Sequence, residues 1–82
     1  MRGTGPVALG RDVVYAYFSV TGRAARVRVS ADDCDRHDLF PGRQVRVGIG
    51  GREPEAALVT GVGAAPPFAW VEFEFAGRGE GG

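Results

Sequence analysis

The 82-residue, 8.6 kDa chain has room for one hydrophobic core and not for two. Ten arginines, with no lysine, balance ten acids. That neutrality argues against a strongly electrostatic polyanion binder. Val and Ala, at eleven each, outnumber three Leu and one Ile, which favours strands over a helix bundle.

Gly3, Gly5 and Pro6 at one end, and Gly77, Gly79, Gly81 and Gly82 at the other, mark residues 1–6 and 77–82 as flexible tails. Asp12 to Val20 and Arg23 to Ser30 alternate as two strands, with Thr21-Gly22 between them as a two-residue hairpin loop. Val20 then lies opposite Arg23. The register puts Val14, Ala16, Phe18, Val20, Ala25, Val27 and Val29 on one face. Tyr15, Tyr17, Arg26 and Arg28 take the other, with Tyr17 beside Arg26 and Tyr15 beside Arg28. A slip of one residue would bury the arginines.

Ser30-Ala31-Asp32-Asp33 is a capping box, with both aspartates in the favoured first turn of a helix. Pro41-Gly42 limits that helix to about two turns and leaves Leu39 and Phe40 as core anchors. Arg43 to Gly50 alternates again, with Val45, Val47 and Ile49 inward. Glu55 to Val62 is a weaker strand ending in a Gly61-Val62-Gly63 turn, and Ala64 to Pro67 is a stiff connector. Phe68 to Ala76 is the last strand, with Val71, Phe73 and Phe75 opposite Phe68, Trp70, Glu72 and Glu74.

These elements predict a single all-β domain over residues 1–82. Its architecture is a small five-stranded barrel or rolled sheet of the SH3 or OB type, with one short helical turn between the second and third strands. A closed barrel also removes exposed strand edges.

Three groups of residues are candidates for function. The first is the hairpin face, where Tyr15 and Tyr17 offer stacking rings and Arg23, Arg26, Arg28 and Arg46 offer phosphate contacts. That is the equipment of a single-stranded RNA or DNA binder. Cross-strand Tyr–Arg pairs that only stabilise the sheet are the simpler account. The second is Phe68 and Trp70, which fit an anchor for a protein partner or a second copy of the chain. Closure of the core by Trp70 competes with that reading. Glu72 and Glu74, on the same face, are expected to pair with Arg43 or Arg46.

The third group is Asp32 to Asp38, where Cys34 and His37 share a helix face. With one Cys and one His in the chain, neither a metal nor a catalytic pair is expected from them, and an acidic capping turn around a buried thiol is. No phosphate-binding loop or Ser-His-Asp set occurs, so no cofactor is expected. The expected function is therefore a non-catalytic interaction module, with nucleic-acid binding as the alternative. A small enzyme or ligand carrier, with its pocket in the barrel mouth, comes third. No stretch approaches the roughly 20 apolar residues of a membrane span. Met1 to Gly10 lacks the core of a signal peptide, and one Cys excludes an internal disulfide. Both point to the cytoplasm.

Overall fold

A computed structural model describes residues 1–76. Six strands, β1 (Arg2–Leu9), β2 (Asp12–Thr21), β3 (Ala24–Ser30), β4 (Gln44–Ile49), β5 (Glu55–Ala65) and β6 (Phe68–Phe75), form a closed antiparallel barrel in the order β1-β2-β3-β6-β5-β4. One helix, α1 (Ala31–Arg36), lies between β3 and β4. The small all-β barrel with a single helical turn is as the sequence predicts, with one more strand.

The additional strand is β1, so residues 1–6 are not a tail as expected. Arg2 to Pro6 belong to a strand paired with β2 from Arg2 opposite Ser19 to Leu9 opposite Asp12. Gly3 lies opposite Phe18, and positions for a Cβ on Gly3, Gly5 and Gly50 fall 3.6–3.7 Å from that ring. The Phe18 ring thus packs over the backbone at all three glycines. The expected tail at 77–82 lies outside the described residues.

Both hairpins at the N-terminal end turn on Gly-Arg. Gly10-Arg11 joins β1 to β2 and Gly22-Arg23 joins β2 to β3, with φ of +66° and +60° at the glycines. A positive φ at the first loop position is the requirement that glycine meets in a type II′ turn. The β2–β3 loop is therefore Gly22-Arg23 and not Thr21-Gly22. Tyr17 then lies opposite Arg28, and Ser19 opposite Arg26. The shift is an even number of residues, so the predicted division into faces survives: Ala16, Phe18, Ala25, Val27 and Val29 are buried.

The core continues through Val7, Leu9, Val47, Ile49, Ala57, Val59, Ala69, Val71 and Phe73. Leu39 joins it, but Phe40 does not. With Pro41-Gly42 turning the chain away after it, Phe40 is 53% exposed. Helix α1 is capped as expected, Ser30 Oγ accepting from the Asp33 N–H at 3.0 Å. Strand β5 does not stop at a Gly61 turn. A bulge between Val59 and Gly61 lets it continue to Ala65, and the connection to β6 is Pro66-Pro67 alone, joined by a cis peptide bond.

Glycine 48 is enclosed, because an added Cβ would run into the Arg52 carbonyl oxygen, whereas one at Gly63 meets nothing within 4 Å. Gly48→Ala is expected to lower unfolding stability by about 1–3 kcal/mol, and Gly63→Ala to change it by less than about 0.5 kcal/mol, in urea titrations followed by circular dichroism. A chain beginning at Val7 uncovers Phe18 and is expected to lose about 1.5–3 kcal/mol in the same measurement.

Candidate functional site

Strand β3 pairs with β6 from Ala24 opposite Glu74 to Ser30 opposite Phe68. Its inward residues meet core partners, Val27 with Val71 and Ala25 with Phe73. By the period of two, the outward residues must then meet one another. Arg28 lies opposite Trp70, and Arg26 opposite Glu72. The two surfaces that the sequence suggests separately, the Tyr–Arg face of the hairpin and the Phe68–Trp70 face of the last strand, are thus one surface.

Across β2, β3, β6 and β5 one row reads Tyr17, Arg28, Trp70, Gly63. Trp70 is half-buried on the outer face and does not close the core. Tyr17 meets it edge to face, with ring centroids 6.0 Å apart and planes at 90°. The Arg26 guanidinium lies 4.9 Å from the centre of the Trp70 ring. Arg28 lies 4.8 Å from the centre of Phe68, 5.8 Å from that of Tyr17 and 6.0 Å from that of Trp70. Tyr15, on the same face of β2, is 78% exposed, and Phe68 is 40% exposed.

The charges on this face are not equivalent. Arg26 Nε lies 3.6 Å from Glu72 Oε2, so Glu72 is partnered by Arg26 and not by Arg43 or Arg46. Arg46 is on β4, in a different part of the wall, and donates from Nη2 to the Pro54 carbonyl at 2.8 Å. Arg23 is in the β2–β3 loop. Of the four arginines considered for phosphate contacts, only Arg26 and Arg28 are together, and one of them has a carboxylate already.

A feature the sequence reading missed lies beside Trp70. Gly61 and Gly63, opposite Glu72 and Trp70, leave a hollow of about 300 Å³ bounded by Arg26, Ala64, Trp70 and Glu72. The clue was available: Gly61 and Gly63 alternate with Val62 as strand residues do, but their glycines read as a turn.

The other candidates are used structurally. Cys34 is buried, its Sγ 3.5 Å from the Leu39 carbonyl oxygen that accepts from it. Burial first, and the charge of Asp35 second, raise its thiol pKa. His37 bridges α1 to the start of β2, with Nδ1 2.9 Å from the Asp33 carbonyl oxygen and Nε2 3.0 Å from Asp12 Oδ2. Among the described residues, no three His, Cys, Asp or Glu side chains converge as a metal site, and no helix is long and apolar enough to cross a membrane. The barrel mouth, between Met1, Val20, Val47, Ile49 and Phe75, holds a hollow of about 130 Å³. Ligand pockets usually run from about 300 Å³ upward.

Comparison with protein families, with curated proteins and with solved structures gives no match.

The raised thiol pKa favours the neutral form of Cys34 in the fold. Its contribution to stability is complete below the ordinary thiol value and is lost as pH rises through the folded value. At neutral pH, iodoacetamide is therefore expected to label Cys34 at least about tenfold more slowly in the native protein than in urea, read by mass spectrometry.

Proposed function

We propose that the protein is a non-catalytic interaction module that docks a protein partner on the outer face of β2, β3 and β6. The observation that carries this reading is the β3–β6 register, which sets Trp70 and Arg28 opposite each other beside Phe68, with Tyr17 across from Arg28 on β2 and Tyr15 exposed on the same strand face. Trp, Tyr and Arg are the residues that most often dominate binding energy at protein interfaces. The rings are held by neighbouring strands, so little side-chain entropy is lost when they are covered.

Single-stranded nucleic acid is the second reading, favoured by the exposed Tyr15 ring on the face where Arg28 lies over Tyr17. It is the weaker one. A phosphate backbone presents a charge at every nucleotide, and the face offers one guanidinium without a carboxylate partner.

The test compares the wild-type chain, Tyr15→Ala, Trp70→Ala and the off-face control Arg46→Ala as immobilised bait in an extract of the source cells. A partner is expected that wild type and Arg46→Ala retain and that Tyr15→Ala weakens by at least about tenfold. Light scattering on the same variants shows whether that partner is a second copy. Equal retention by all four proteins would remove the reading. An amide NMR titration with a mixed-sequence oligonucleotide at low and high salt is expected to be silent. Shifts on Tyr15 to Tyr17 and Arg26 to Arg28 that vanish with salt would instead give the face to nucleic acid.

A further inference from the structure

We infer that the partner segment is acidic, and that Arg28 receives one of its carboxylates while an adjacent apolar side chain enters the hollow beside Trp70. This rests on the docking face proposed above and names the chemistry that the face selects.

The argument begins with what Arg28 lacks. Among the described residues its guanidinium has no carboxylate within 4 Å and donates no side-chain hydrogen bond. Nor is it loose, because Phe68, Tyr17 and Trp70 all lie within 6.0 Å of it, measured to the ring centres. Attraction to the aromatic rings holds a guanidinium without consuming its N–H donors. Those donors form a planar fork matched to a carboxylate, and here it is held in place before a ligand arrives.

Charge then decides between classes of ligand. Arg26, which stacks on Trp70, is already compensated by Glu72 at 3.6 Å. The face therefore calls for one negative charge, which a single Asp or Glu side chain supplies. A polyanion would bring further charges against Glu72 and find no second unpaired arginine there.

The hollow over Gly61 and Gly63 supplies the other half of the selection. Its wall is the exposed side of Trp70, with Arg26 and Glu72 at its rim, and Gly63, opposite Trp70, contributes no side chain to obstruct it. Arg28 on β3 and Gly63 on β5 are two strands apart, about 10 Å at the usual spacing of nearly 5 Å. In an extended segment that separation matches an acid and an apolar residue about two to four positions apart.

The experiment uses the full chain and a phage-displayed library of random linear peptides. Peptides carrying Asp or Glu a few positions from an apolar residue are expected to be enriched. The strongest is synthesised with its acid and with the matching amide, and each is titrated while following fluorescence of Trp70, the only tryptophan. The amide is expected to bind wild type at least about tenfold more weakly, and Arg28→Gln is expected to bind both alike. Circular dichroism checks that Arg28→Gln, an exposed position, remains folded.

Recovery of no peptide, or equal binding of acid and amide to wild type, would overturn the inference. So would a preference for the acid that survives in Arg28→Gln, or an oligonucleotide that displaces the acid peptide at low salt. Peptides that bind acid and amide alike but are lost with Tyr15→Ala would leave the docking face standing without its acidic selection. Peptides indifferent to Tyr15→Ala would remove the face as well.

Discussion

The pairing of β3 with β6 is the constraint on which the rest of the molecule depends. It joins the N-terminal hairpins to the C-terminal strand and so closes the barrel. On its inner side it brings Val27 against Val71 and Ala25 against Phe73, all of them buried. Because side chains alternate along a strand, the same register leaves Arg26, Arg28, Trp70 and Glu72 outside together. A slip of one residue would send two arginines into a core that, among the described residues, contains no buried polar or charged side chain. The functional face and the core are two consequences of one register, and neither can change alone.

The arginines of this face show how similar residues acquire different chemical meanings. Arg26 and Arg28 are two positions apart on one strand and both lie over the Trp70 ring. Glu72 lies across from Arg26, and between exposed side chains such an ion pair adds little stability. What it changes is availability, since Arg26 already has its carboxylate and Arg28 does not. Elsewhere the polar groups that suggest chemistry are occupied in holding elements together. The Cys34 thiol is turned to the Leu39 carbonyl, and His37 joins the end of α1 to Asp12.

Glycine contributes mainly by absence, and in different ways at different places. At Gly3, Gly5 and Gly50 the ring of Phe18 packs over the bare backbone. At Gly48 the neighbouring backbone comes so close that no side chain fits. At Gly61 the Glu72 carboxylate lies over the missing side chain, and at Gly63 the space stays open as part of the hollow beside Trp70. In the sequence all of these residues look alike, as markers of turns and frayed ends, because a single chain does not reveal what occupies the space beside a glycine.

The sequence by itself determined the class of fold, the capped helical turn and the inward or outward side of the residues of β2, β3, β4 and β6. These follow from local rules: alternation of Val and Phe with Arg and Glu, a Ser-x-x-Asp cap, and a closed sheet as the way to bury a valine-rich face. The local rules also contained what was misread. The repeated Gly-Arg of both hairpins places the loop at Gly22-Arg23, and the alternation of Gly61, Val62 and Gly63 continues β5. Only the tertiary structure decided which strands are neighbours. The Tyr–Arg and Phe–Trp faces are some 40 residues apart in the chain, and no local preference of either selects the other. Barrel closure brings them together through the burial of Val27 against Val71, an interaction on the opposite side of the sheet from the surface that it creates.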